Sequence, residues 1–236
     1  MLEAVVFDLD GVLVDSERAW DRARREVVAQ AGGQWREGAT EAMLGMSSPE
    51  WSRYLHERLG VPLAPGEIDD RVIERLLASY AMELPLLPGA IAAVRRLARV
   101  WPLGLASSAN RGVIDAVLAA SGLTQCFAAS VSGEEVAHGK PAPDVYLAAA
   151  ARLEVQPRRA AAVEDSSNGL RAAAAADMVV IAVPNRDFPP EADALDLADL
   201  TLASLTQLTP EAITNASSHT AAEPARSGGS RPPTAG

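Results

Sequence analysis

Two carboxylates, Asp8 and Asp10, follow the apolar run Ala4-Val5-Val6-Phe7 with a single residue between them. In extended backbone, residues i and i+2 share a side, so the two carboxylates can converge. Gly11, directly after them, allows a sharp turn or a close approach to a ligand. Two unpaired anions this close repel, and one must hold a proton unless a cation lies between them. An oxygen-only ligand set suits Mg²⁺. Further polar groups recur along the chain: Ser107 and Ser108 after one apolar stretch, Glu164 and Asp165 after another, and Lys140 between Gly139 and Pro141. Taken singly, each also has a structural use. Asp8 and Asp10 can simply end a strand, the serines can cap a helix, Lys140 can be a solvated loop residue, and Glu164-Asp165 can be first-turn charges.

The elements that must position these groups alternate regularly. Ala4–Phe7 reads as a buried strand, as do Pro102–Ala106, Ala128–Val131, Ala160–Val163 and Met178–Val183. Helical patterns fill the intervals at Gly89–Val100, Arg111–Ala120, Pro143–Leu153 and Gly169–Ala176. Strands alternating with helices of this length predict an α/β fold with a doubly wound parallel sheet. One interval is different. From Ser16 to about Leu84 four helical stretches succeed one another without a strand: Ser16–Gln30, Glu37–Leu44, Ser48–Leu59 and Gly66–Glu83. The expected organisation is a core of residues 1–15 and 85–214, an all-helical insertion at 16–84, and a disordered tail at 215–236. The tail is rich in Ser, Ala, Thr, Gly and Pro.

In a parallel sheet the strand ends lie on one edge, which brings the polar groups together. Four carboxylates, a lysine and two hydroxyls suit one divalent cation and one phosphoryl group. Ser107 and nearby backbone N–H groups can donate to the phosphoryl oxygens, with Lys140 supplying compensating charge.

Composition narrows the partners. The 236 residues carry a net charge of −10, which argues against nucleic acid or an anionic membrane surface. No apolar run approaches the ~18 residues of a membrane span, and the beginning lacks a signal-peptide pattern. The single cysteine, Cys126, forms no internal disulfide and fits a reducing cytoplasm. The expected partner is a small phosphorylated metabolite.

Four stretches in order carry a family resemblance: Asp8-Leu9-Asp10-Gly11-Val12, Ala106-Ser107-Ser108, Gly139-Lys140-Pro141-Ala142-Pro143-Asp144, and Val163-Glu164-Asp165-Ser166 with Gly169. Over about residues 4 to 205 the chain resembles the haloacid dehalogenase-like hydrolases. The helical insertion resembles the cap of the subgroup holding β-phosphoglucomutase and many sugar-phosphate phosphatases. The resemblance implies a Rossmann-like core and a phosphatase acting through an aspartyl-phosphate on Asp8. Asp10 is then the general acid and base. Mg²⁺ is held by Asp8, the backbone carbonyl of Asp10 and Asp165, with Glu164 as a direct or an outer ligand. Ser107, Ser108 and Lys140 hold the phosphoryl oxygens. In the cap, Gly45-Met46-Ser47 resembles the substrate loop, and Trp20 is a further candidate contact.

Two other functions share this chemistry. One is a phosphomutase. Ser48, however, stands where the phosphoglucomutases carry an arginine, and Trp20 stands near where they carry a histidine, which favours hydrolysis. Arg18 and Arg53 are the cap cations considered as substitutes. The other is a non-enzymatic aspartyl-phosphate acceptor, disfavoured because Asp10 makes the phosphoryl group turn over. The substrate is expected to be a sugar or polyol phosphate. Asp177 stands where the family carries glycine, at a position expected to be left-handed.

Overall fold

The structure, a computed structural model, describes residues 1–43 and 46–220, without the side chains of the last two. Its elements in chain order are β1 (Ala4–Phe7), α1 (Glu17–Gln30), α2 (Ala39–Ala42), α3 (Ser48–Leu59), α4 (Pro65–Met82) and α5 (Ala90–Leu97). There follow β2 (Leu103–Ser107), α6 (Arg111–Ser121), β3 (Phe127–Ser132), α7 (Asp144–Arg152) and β4 (Ala160–Glu164). The chain continues through α8 (Ser167–Ala175), β5 (Val179–Ala182), α9 (Ala192–Leu195), β6 (Leu200–Thr201) and α10 (Pro210–Thr220).

All strands are parallel, in the order β3-β2-β1-β4-β5-β6. β1 is central, paired to β2 on one side and β4 on the other, so the strand order reverses beside it. A reversal of this kind opens a crevice at the carboxyl ends of the strands. The whole of β1 is buried because helices cover both faces. Val5 and Phe7 join Leu103, Leu105, Val163 and Ile181 under α5, α6 and α10. Ala4 and Val6 join Ala160, Ala162 and Val180 under α7 and α8. The second face is built largely of alanine, and small side chains let those helices approach the sheet closely.

The helical stretch between β1 and α5 folds on itself, with α1 and α3 both packed on α4. Trp20, Ala23, Val27 and Val28 form the expected apolar stripe of α1. α3 is locked at its start by a capping box, in which the side chains of Ser47 and Glu50 each reach the other's backbone region. The two connections to the sheet run side by side: Asp15 N–H donates to the Pro85 carbonyl at 2.8 Å and Leu87 N–H to that of Leu13 at 3.0 Å.

The structure departs from the sequence-based expectation in four places, one of them the single-turn α9, whose four residues are too few for a periodic signal. The helix expected over Glu37–Leu44 is the single turn α2. β6 was not expected, because two residues are too few for a periodic signal. The segment expected to be disordered from Asn215 begins instead as helix, since α10 continues to Thr220 with Ile213 and Ala216 buried. The composition argument weighed large apolar residues and passed over alanine, which both packs and favours helix. Residues 221–236 lie outside the described residues. Asp177 adopts a left-handed φ of 62°, as expected of the residue that ends α8. No helix among the described residues is long and apolar enough to cross a membrane.

Candidate active site

The carboxyl edge of the sheet delivers three acidic groups to one point. Asp8 follows β1 directly, Glu164 is the last residue of β4, and Asp165 is the next. One oxygen from each lies within 4.8 Å of the others, and all three residues are buried. Lys140 joins them from the loop before α7. Its Nζ donates to Asp8 Oδ1 at 2.7 Å and to Glu164 Oε1 at 2.6 Å. Burial alone would push this lysine down, but the charges of Asp8 and Glu164 outweigh it and hold the ammonium above its ordinary value. Burial pushes the Asp8 carboxyl up to about 8, with Lys140 opposing and Glu164 and Asp10 adding to the rise. Burial, then Glu164 and Asp8, raise Asp165 as well. A group of anions this reluctant to ionise is matched to a cation that the protein itself does not supply.

The three carboxylates are not equivalent. Glu164 Oε1 accepts from Lys140 and from the Tyr146 hydroxyl at 2.8 Å. Its Oε2 accepts from the backbone N–H groups of Asp165 and Ser166 and from the Ser166 hydroxyl. Those donors consume its lone pairs, so proximity alone overstates Glu164 as a metal ligand. Asp165 Oδ1, by contrast, is buried with no hydrogen-bond partner among the described residues. An orphaned carboxylate oxygen beside Asp8 fits a divalent cation. Two glycines make the space. A Cβ on Gly11, at φ 75°, would lie 1.8 Å from Asp165 Oδ2, and one on Gly169 would lie 1.8 Å from Glu164 Oε1.

Asp10 stands apart from the three. Its Oδ1 accepts from Trp20 Nε1 at 3.1 Å and its Oδ2 from Ser107 Oγ at 3.4 Å. Its side chain is outside the acidic cluster, which leaves only its backbone carbonyl for a cation. Ser107 is fully buried and its hydroxyl also accepts from Ala109 N–H. Ser108 faces a cavity of about 510 Å³ that Asp8, Asp10, Lys140 and Asp165 also line.

The far wall of that cavity belongs to the helical insertion. Trp20 and Met46 line it, as the sequence suggested. Ser47 does not: its hydroxyl donates to Glu50 Oε2 at 2.6 Å as part of the α3 cap, a use a serine before a helix commonly has. Gly45 lies outside the described residues. Ser48 is buried and donates to Asn110 Oδ1 at 2.7 Å. The Asn110 amide in turn donates to Asp69 at 3.1 Å and Glu134 at 2.7 Å, tying α3 and α4 to the rim of the sheet.

Several site residues escaped the sequence reading. Tyr146 and Asn110 carry no motif signal of their own, and only their partners reveal them. Arg24 lies on the same α1 stripe as Trp20 and is 6% exposed, with its guanidinium carbon 5.3 Å from the Trp20 ring and 5.1 Å from that of Trp51. An arginine inside an apolar periodicity is a signal that could have been read. Glu17, two turns earlier on the cavity wall, is pushed up to about 6, chiefly by burial.

Residues 2–177 match the haloacid dehalogenase-like hydrolase family. The chain is 39% identical over 215 residues to hexitol phosphatase B of Escherichia coli K12, spanning 87% of this chain and 94% of that protein. The solved structure of CbbY from Rhodobacter sphaeroides, in complex with phosphate, superposes with a TM-score of 0.82 at 31% identity, covering 91% of this chain and all of that one. A β-phosphoglucomutase from Clostridium difficile shares the fold at 23% identity, with a TM-score of 0.80 over 94% of this chain and all of that one.

Proposed function

The chain belongs to the haloacid dehalogenase-like hydrolases, and we propose that it is a Mg²⁺-dependent phosphatase that hydrolyses a small sugar or polyol phosphate through an aspartyl-phosphate. The observation that carries this reading is the buried lysine bridge: Lys140 holds Asp8 against Glu164 while Asp165 keeps an oxygen free beside them.

Asp8, Asp165 and the backbone carbonyl of Asp10 would hold the cation, with Glu164 fixing Lys140 and the start of α8 behind them. When bound, Mg²⁺ offsets the charge of the carboxylates and of the phosphoryl oxygens. Asp8 is the nucleophile. Its carboxylate oxygen forms a bond to phosphorus as the bond to the leaving oxygen breaks. Asp10 gives a proton to that oxygen, then takes one from the water that attacks the aspartyl-phosphate and releases inorganic phosphate. Trp20 and Ser107 orient Asp10 for both transfers. Lys140 and Ser108, which line the cavity, would donate to the phosphoryl oxygens. Ser107 can join them, because its 3.4 Å contact to Asp10 is near the limit of a hydrogen bond and is given up at small cost. The helical wall keeps bulk water from the site, which strengthens the electrostatic contacts to the phosphoryl group.

Relatives support the substrate class. The name hexitol phosphatase B describes a polyol phosphate hydrolase, and 39% identity over 87% of this chain brings that class to the front. The test is phosphate release from a panel of phosphorylated sugars and polyols, with and without Mg²⁺, by the wild type and Asp8→Asn. Cation-dependent release that Asp8→Asn abolishes is expected. Release that survives either chelation or the substitution refutes the mechanism.

A further inference from the structure

α1 presents Glu17, Trp20 and Arg24 at i, i+3 and i+7, hence on one face, and all three line the cavity above Asp8 and Asp10. Three cations among the described residues line that cavity. Lys140 is paired with Asp8 and Glu164, and Arg171 is paired with Glu191 and Asp193. Among the described residues Arg24 has no ion pair and donates no hydrogen bond, and its buried Nε has no partner there. Burying a guanidinium with unused donors is costly unless something else accepts from them. The two tryptophan faces offset part of that cost and clamp the group in place, but a π-face does not satisfy in-plane N–H groups. The cavity that Arg24 lines is where an acceptor for its donors can bind.

We propose that Arg24 is a specificity-determining residue that donates to the hydroxyl oxygens of the substrate's uncharged polyol end, with Glu17 accepting from a hydroxyl of the same chain. This rests on the phosphatase reading of the site. A hydroxyl both donates and accepts, so an arginine and a glutamate on one wall complement a polyhydroxylated chain, whereas an aliphatic chain would leave both unpaired. A second phosphate is the poorer match. The carboxylates that act on Arg24, namely Glu17, Asp21 and Asp10, outnumber it and would repel a dianion.

The test compares three substrates of one length: hexitol 6-phosphate, n-hexyl phosphate without hydroxyls, and hexitol 1,6-bisphosphate. Arg24→Gln and Arg24→Met both fill the space between Trp20 and Trp51. In each, KM for hexitol 6-phosphate is expected to rise roughly tenfold to a hundredfold, and its preference over hexyl phosphate in kcat/KM to fall by a similar factor. A preference unchanged within about threefold overturns the proposal. So do equal losses on both substrates, which assign Arg24 to packing, and a loss confined to the bisphosphate, which makes it an anion site. A wild type inert on all three and on the wider panel of sugar and polyol phosphates refutes the phosphatase reading instead. Binding of hexitol 6-phosphate, followed by the fluorescence of Trp20 and Trp51, then decides the role of Arg24 separately. About tenfold weaker binding in Arg24→Gln supports it, and equal binding overturns it.

Discussion

Gly11 and Asp165 compete for one volume: a Cβ on Gly11 would sit 1.8 Å from Oδ2 of Asp165. The sharp turn after β1 and the acidic group after β4 therefore depend on each other. Gly11→Ala adds backbone strain at a φ of 75° and drives Asp165 from its place, together about 2–4 kcal/mol. The expected result is a folded or marginally folded protein whose melting temperature no longer rises with Mg²⁺ and whose phosphatase activity is lost. A Gly11→Ala protein that keeps its Mg²⁺ response would show that Asp165 is not a ligand.

Lys140 is the only described partner of Asp8 with opposite charge, and its side chain is 4% exposed. Lys140→Met leaves Asp8 and Glu164 buried and uncompensated, a change of about 3–5 kcal/mol in stability. Denaturant unfolding should show that loss, together with the loss of phosphate release. Lys140→Arg, with a longer and forked head group, should recover part of the stability but little of the activity. Full activity in either variant would remove Lys140 from the site.

Asp8 titrates near 3.8 in an unfolded chain and is pushed up to about 8 in the metal-free fold by burial. A carboxyl with a raised folded pKa contributes stability that is complete below the unfolded value and is lost as pH rises through the folded one. Asp165 shifts in the same direction. The metal-free protein should therefore melt progressively lower from about pH 4 to about pH 8, and the stabilisation by Mg²⁺ should grow over the same window. Cation binding at pH 7 should also release protons, measurable by titration calorimetry in buffers of different ionisation enthalpy. Identical apparent enthalpies in all buffers would contradict this.

Asn110 joins Ser48, Asp69 and Glu134 across the boundary between the helical insertion and the sheet. Asn110→Ala leaves a buried serine and two carboxylates without that partner, about 1–3 kcal/mol. The helices of the insertion should then open more readily, raising KM for the natural substrate more than for a small aryl phosphate. Hydrogen exchange at α3 should quicken. Unchanged exchange with unchanged KM would show that the contact is incidental.

The alternation of strands and helices through β5, the arrival of Asp8, Lys140 and Asp165 at one edge of the sheet, and the run of helices after β1 were legible in the sequence. Those features are local. An apolar run marks a strand, a glycine marks a turn, and parallel topology puts strand ends on one edge whatever the side chains in between. What each group does there was decided by tertiary contact. Glu164 and Asp165 are adjacent carboxylates that the sequence cannot rank. Only the fold surrounds one with five donors and leaves an oxygen of the other bare. Ser47 and Ser48 are likewise neighbours, yet one caps α3 and the other reaches Asn110, 62 residues away. Arg24 is the clearest case. Its sequence neighbours mark it as an interruption of an apolar stripe, but its two tryptophans come from different helices, and its free donors matter only because the cavity lies in front of them. Hydrogen-bond satisfaction is a sum over groups far apart in the chain, and only the folded protein performs it.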